Sequence, residues 1–510
     1  MAIFANLAVS TSLLLLSLIT FWGNPIYAIA VDIRAAPDLR AILTNTANNK
    51  WSKETVLLFP STPGFEEATE RWTVFRPPTY SAAIQPGTVA DIQNVVKLAK
   101  KYQVPFLTRG AGHGYSTSLA LFQNGLALDL SQFKSIQINK NAQTVTIGPG
   151  VTTRDLLDPL YKAGYEIPTG TCQCPSLIGV TLGGGVGRFQ GIHGLVLDSL
   201  LSVRVVTAKG DVVEASKSTN PDLFWGIRGA GTNFGVITSA TYKIYPLTNQ
   251  GDFTYGAFAF LGNGTNAYFD ALASFKNGMP EKLSSFSYII YNETLSQTIV
   301  VSNWVYLGPE AEGLKAIEPI TKLNPPTSVI ARVPYNELIS TTVGGNFDVL
   351  DCVRNLTLAN YNLNQNTYNA TLYKSTFEKM TKWFDENPNG RSSSIVFENL
   401  PNQAVAAVPS GDTAFSYRNS KGYVIPTFLW ALGDTATEKA ANRIGLEIRD
   451  DFAAGADNKA REVFANYARG DETLEQIYGK DKLPRLAAVK RAWDPSNIFA
   501  FNHPLPTSYP

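Results

Sequence analysis

Histidine and cysteine are scarce in this chain of 510 residues: three of each, His113, His193 and His503, and Cys172, Cys174 and Cys352. So few soft ligands exclude multi-zinc designs, and three cysteines cannot staple a disulfide-dense scaffold. A dominant charge is also lacking. Lys and Arg total 43 against 42 Asp and Glu, a formal net charge of +1, which speaks against a nucleic-acid binder with its usual basic excess. Gly (40) and Pro (29) stay near ordinary usage, so collagen-like and low-complexity classes are out. The sequence has no internal repeat, and beyond its N-terminus no apolar run long enough for a bilayer. What is there is 44% hydrophobic, ample for a sizeable core. At roughly 150 residues per domain, the length suggests about three domains.

The N-terminus reads as an address. Residues 7–22 carry no charge, with four leucines (Leu13 to Leu16) at their centre, and Ala28-Ile29-Ala30 offers a small-x-small cleavage site. Lys and Arg are missing ahead of the apolar run, a departure from the usual signal. The run is short for a ~20-residue span and meets Pro25 early. A cleaved signal over 1–30 is expected, with a secreted mature chain starting near Val31. Four sequons, at Asn263, Asn292, Asn355 and Asn369, fit a glycosylated middle third.

Patterning gives an α+β chain. After Pro86-Gly87, Thr88-Val-Ala-Asp91 resembles a capping box, and Ile92, Val95, Val96 and Ala99 follow at helical spacing. Short strands are expected at 104–107, 126–130, 136–138 and 144–147, the last two as a hairpin, then a helix over 154–163. Strands 203–207 and 212–214 pair across the turn 208–211. Helices interleave with strands without a clean βαβ alternation. After Pro246 the apolar runs 286–291, 299–306, 394–397 and 423–429 predict one large antiparallel sheet, with helices at 373–384 and 435–452. A last helix, 483–493, stops at Asp494-Pro495.

Three constellations could carry chemistry. In Arg109-Gly110-Ala111-Gly112-His113-Gly114-Tyr115 the glycines let backbone approach an anion or ligand. The spacing is neither the Walker pattern nor a dinucleotide fingerprint. The alternative is a glycine-rich turn with a solvent-facing His. In Cys172-Gln173-Cys174 the Cys-x-Cys looks like half a zinc site, but the remaining soft ligands are scattered, so no metal is expected. Gly183-Gly184-Gly185-Val186-Gly187 suits backbone packed on a flat ligand, or a tight turn. The third is Asp222-Leu-Phe-Trp225-Gly-Ile-Arg228-Gly229, leading into Phe234-Gly235-Val236-Ile237-Thr238.

In this order the motifs resemble the FAD-linked oxidases of the berberine-bridge-enzyme type, within the vanillyl-alcohol-oxidase flavoprotein superfamily. Asn466-Tyr467 and Asp494-Pro-Ser-Asn497-Ile-Phe499 match the family's ending. The resemblance implies a PCMH-type FAD-binding domain of two α+β subdomains at 31–248 (core 78–248). A substrate domain would follow at 249–462, its large antiparallel sheet covered by helices, and 463–510 would complete the FAD domain. His113 would bond covalently to the flavin 8α-methyl carbon. Cys172 would add a second bond at C6, with Cys174 the alternative. Arg109, Gly110, Ala111, Gly112, Gly114, Gly183, Gly184, Gly185, Gly187, Ile237 and Asn502 would contact the cofactor, and His503 stands where many relatives carry Gln.

The residue types suit that chemistry, since imidazole and thiolate can add to an electron-poor ring. One flavin bond plus a Cys174–Cys352 disulfide would use all three cysteines; a buried, unbonded Cys352 is the preferred expectation. Tyr467 matches a family Tyr that takes the substrate proton. Phe464 replaces the family's first Tyr there, and a packing role for Tyr467 is equally open. At Tyr417-Arg418 Tyr stands in place of a family His. His193 reads as a structural turn residue. The expected protein is a secreted, monomeric oxidase passing electrons from a small natural product to O2, without nucleic-acid or membrane partners. A carbohydrate oxidase is the alternative, although the middle strands are poor in acids. A non-redox ligand-binding or cyclase scaffold is the reading from another class.

Overall fold

The computed structural model describes residues 37–47, 49–342, 352–456 and 460–509; the expected signal segment lies outside them. No described helix is long and apolar enough to cross a membrane. The fold is α+β, as the patterning anticipates.

A four-stranded sheet comes first, in the order Val56–Leu58, Tyr80–Gln85, Gly125–Asp129, Phe106–Arg109. Gly125–Asp129 pairs in parallel with both Tyr80–Gln85 and Phe106–Arg109, a local parallel unit in a chain without clean βαβ alternation. The helix Val89–Tyr102 carries the chain back between two strands, so they run the same way. That helix starts as its sequence dictates. The Thr88 hydroxyl accepts from Asp91 N–H, and the Asp91 carboxylate accepts from Thr88 N–H. Its buried stripe of Ile92, Val95, Val96 and Ala99 packs on the sheet. The following strand begins at Phe106 rather than Val104, because Val104 N–H is still bonded to Ala99 at the helix exit.

A five-stranded antiparallel sheet comes next, in the order Ile136–Asn139, Thr144–Ile147, Val236–Lys243, Leu200–Val206, Val212–Ser216. Helices Thr153–Ala163, Leu177–Gly183 and Pro221–Ala230 accompany it. The expected hairpin at 136–147 forms, and the one expected at 203–214 forms with longer arms, Leu200–Val206 and Val212–Ser216.

The third sheet spans residues 252–429 and has eight strands, all its pairings antiparallel. Alternation along its strands gives it two different faces. One packs under helices Gly264–Ala273, Ala370–Glu386 and Thr435–Ala454. There Phe397 meets Phe269, Tyr373 and Phe452. The other presents Phe286 and Tyr288, Ser394, Val396 and Glu398, and Ile425, Thr427 and Leu429 to a cavity. The outer strand Thr327–Pro334 and the short strands Leu358–Asn360 and Leu363–Gln365 were not anticipated. The first is largely exposed, and the other two are rich in Asn, so neither shows the apolar run that marks a buried strand.

The chain end returns to the first half. Helix Leu483–Trp493 lies against helix Pro221–Ala230, where Arg485 pairs with Asp222. Lys490 Nζ donates to the Asn233 and Phe499 carbonyls and to Asp494. Residues 499–503 are thereby laid along the cavity.

Candidate active site

The cavity, of about 450 Å³, runs from the glycine-rich loop to the open face of the eight-stranded sheet. All of residues 109–115 line it. Arg109 closes its strand opposite Asp129, and its guanidinium bonds that carboxylate at 3.1 Å and the Glu70 carbonyl at 3.2 Å. Its charge therefore holds the loop in place. Gly112 has φ +68°, and a Cβ there would lie 2.7 Å from the Glu70 carbonyl oxygen, so only glycine fits. The Gly112 carbonyl accepts from Trp72 N–H. The Trp72 ring stacks on His113 with centroids 4.6 Å apart. Trp72 thus orients the imidazole, and no motif flagged it.

His113 Nε2 lies 3.9 Å from Cys172 Sγ. The expectation of an unbonded Cys352 is overturned, because Cys174 and Cys352 form a disulfide with a Cα–Cα separation of 5.6 Å. Cys352 is 178 residues away in sequence, so spacing could not reveal the pairing. With Cys174 committed, Cys172 is the cysteine that keeps its thiol. The three sulfurs lie within 4.8 Å of one another. Two of them are bonded together, so the cluster is not the set of thiolates that a structural zinc site takes.

The glycine run divides. Gly185 lines the cavity, whereas Gly183, Gly184 and Gly187 are not among the lining residues. Gly183 and Gly184 admit the returning chain instead, and Gly187 admits the backbone of 169–170. A Cβ on Gly183 would lie 2.0 Å from Asn466 Oδ1, and one on Gly184 2.7 Å from Phe464. On Gly187 it would meet the Thr169 carbonyl oxygen at 2.0 Å. Asn466, held by its bond to the Val180 carbonyl at 2.7 Å, places its neighbour Tyr467. Ile237, Asn502 and His503 line the cavity. Burial lowers the pKa of His503 to about 4, so this imidazole is neutral.

On the sheet side, Tyr467 donates its hydroxyl to Glu398 Oε2 at 3.0 Å. Desolvation, then the Glu398 charge, push the Tyr467 pKa well above its ordinary value. At neutral pH Tyr467 is a phenol, its hydroxyl aimed at Glu398. Phe464 packs edge-on against its ring at 4.9 Å, which keeps an apolar wall where the family's first Tyr would stand. Asn362 Nδ2 donates to both the Tyr467 carbonyl and the Tyr115 hydroxyl. Sequence reasoning missed Glu398. The available signal was an acid in the otherwise uncharged strand Ser394–Asn399.

Two flagged sites lie elsewhere. His193 bonds buried Glu166 at 2.7 Å and stacks on Tyr245 at 3.8 Å, the structural role expected. Arg418 forks onto Asp198, and the Tyr417 hydroxyl donates to backbone carbonyls of 475 and 476.

The cavity suits a flavin. Trp72 and Asn360 line it, bringing an indole and an amide to its walls. At Gly110 a Cβ would lie 2.9 Å from the Pro149 carbonyl oxygen and at Gly112 2.7 Å from that of Glu70, so the loop wall is bare backbone that a flat ring can approach. A glycine backbone on one wall and two nucleophilic side chains beside it complete the fit.

Comparison with known proteins agrees. An FAD binding domain profile matches residues 80–216, and a "Berberine and berberine like" profile matches 463–506. The FAD-linked oxidoreductase srdI of Neurospora crassa is 44% identical over 478 residues, 94% of each chain. The Physcomitrella patens BBE-like 1 wild-type structure superposes with a TM-score of 0.77 at 26% identity, covering 90% of this chain and 98% of that one. A chitooligosaccharide oxidase shares the fold, with a TM-score of 0.75 at 22% identity, covering 89% and 97%. The chain belongs to the berberine-bridge-like family of FAD-linked oxidoreductases.

Proposed function

We propose that this oxidoreductase is a secreted, monomeric oxidase of small natural products. It converts a carbinol, or a related C–H donor, to the carbonyl while O2 becomes H2O2. Its FAD is held covalently through His113 and Cys172. The observation that carries the reading is the Tyr467–Glu398 pair facing the cavity into which His113 and Cys172 also project. Bound FAD supplies the hydride acceptor.

The protein's own residues handle the proton. A substrate hydroxyl beside Tyr467 gives its proton to the phenol oxygen as Tyr467 passes its own to Glu398. The raised Tyr467 pKa excludes a standing phenolate, so the carboxylate is the base and the phenol relays. The walls select the substrate. Phe286, Val396, Ile425 and Leu429 give the sheet face apolar walls, with Tyr288, Ser394, Glu398 and Thr427 between them, a surface for a ring-bearing molecule with a reacting hydroxyl.

Purified protein, precipitated in acid, tests the cofactor attachment: yellow colour retained in the pellet is expected. Peroxide release from a panel of aromatic alcohols and oligosaccharides tests the rest. Turnover of the sugars alone would move the reading to a carbohydrate oxidase. A reducible flavin with no turnover at all would favour a non-redox scaffold.

A further inference from the structure

The three cysteines carry more than an attachment point. Cys172 Sγ lies within 4.8 Å of both sulfurs of the Cys174–Cys352 disulfide. His113 Nε2 is 3.9 Å from the Cys172 thiol, close enough to receive its proton through a small approach. The Arg154 guanidinium lies against the disulfide, with Nη2 3.7 Å from Cys174 Sγ and 3.5 Å from Cys352 Sγ. A nucleophile, a base, a disulfide and a cation to hold the leaving thiolate therefore lie together, with Cys172 and His113 on the cavity wall and the disulfide and Arg154 behind it.

We infer that these groups form an intramolecular thiol–disulfide exchange centre, in which Cys172 attacks Cys352 and releases Cys174. The Cys174–Cys352 bond breaks and a Cys172–Cys352 bond forms. The proton of Cys172 goes to His113, and Cys174 leaves as a thiolate beside Arg154. One disulfide replaces another, so no oxidant or reductant is consumed. Attack on Cys352 rather than Cys174 follows from the local frame. Gln173, between Cys172 and Cys174, is pinned by Arg154, which bonds its side chain at 3.1 Å and its carbonyl at 3.0 Å. Closing a bond across that fixed residue would require the loop to fold on itself.

The chain then has two disulfide isomers. Cys172 can reach a flavin only in the Cys174–Cys352 isomer, and a flavin bonded to Cys172 removes the nucleophile and freezes that isomer. This consequence rests on the proposed attachment at Cys172; the exchange itself does not.

The test uses the full chain produced under riboflavin limitation, quenched in acid and labelled with N-ethylmaleimide under mildly acidic conditions. Peptide fragmentation then locates the label and the disulfide. We expect molecules labelled at Cys172 and others labelled at Cys174, the latter carrying a Cys172–Cys352 cross-link. Label confined to Cys172 in all molecules, with only the Cys174–Cys352 cross-link, would overturn the proposal. Cys172→Ser should abolish labelling altogether, and residual label on Cys174 in that variant would also overturn it. Arg154→Gln should cut the Cys174-labelled share several-fold; an unchanged share would refute the role given to Arg154. In flavin-loaded protein, label persisting on Cys174 would support the exchange while removing the attachment at Cys172.

Discussion

Tyr467 and Glu398 meet at 3.0 Å although they come from different parts of the fold. Glu398 stands on the cavity face of the eight-stranded sheet, and Tyr467 on the returning chain end. The pair closes the cavity where the two approach. Proton transfer by a positioned side chain contributes about 10²–10⁴-fold in rate. Tyr467→Phe and Glu398→Gln should therefore each lower kcat by about that factor while acid-stable flavin remains. The double variant should lose little more than either single one, because the relay fails once. Steady-state peroxide assays check this, and fully multiplicative losses would separate the two residues.

Gly183→Ala should mimic the loss of Tyr467. The added methyl would lie 2.0 Å from Asn466 Oδ1, and Asn466 precedes Tyr467. We expect a kcat loss of about 10-fold or more, with the proposed His113 attachment intact. Flavin content and kcat measured on one preparation separate displacement of the tyrosine from loss of cofactor. A variant that loses its flavin instead would place Gly183 at the cofactor.

Much of this arrangement was legible before any coordinates. The capping box at Thr88 and the helix 483–493 follow from strong local signals. The four apolar runs of the large sheet follow from alternation. What was illegible depends on partners far apart in sequence. Cys352 gives no local sign that it bonds Cys174. Trp72 is one aromatic among many until it stacks on His113. Gly183 and Gly184 read as cofactor backbone because their real neighbours, Asn466 and Phe464, are remote in sequence, as the hydrogen bond from Asn466 to Val180 across 286 residues indicates. Glu398 was the most accessible omission, since a carboxylate costs energy inside a buried strand unless it has a task.

Acid should destabilise the fold through His503. Its folded-state pKa is about 4, lowered by burial, against an unfolded value of ~6.5. The unfolded chain takes up the proton first, so stability from this group is full above about pH 6.5 and falls as pH drops toward 4. The loss is on the order of 3 kcal/mol. His503→Gln should flatten the dependence of Tm on pH across this window. An unchanged slope in that variant would assign the acid sensitivity to other groups.

Lys490→Met should weaken the chain end and the cavity together. Lys490 and Asp494 are both fully buried and paired at 2.6 Å. The ammonium also holds the Asn233 and Phe499 carbonyls, each at 2.9 Å. Removing it leaves a buried carboxylate without its counter-charge, and breaking such a pair costs ~3–5 kcal/mol. The carboxylate still accepts from the Ile498 and Phe499 amides, so Asp494→Leu would strand those donors as well, and the double variant should not recover full stability. Residues 499–503 run directly from this lock into the cavity. The Lys490→Met protein should thus unfold at lower urea and show brighter flavin fluorescence before global unfolding, because the wall beside the cofactor loosens first. Simultaneous loss of both signals would mean that the chain end and the body of the protein unfold as one unit.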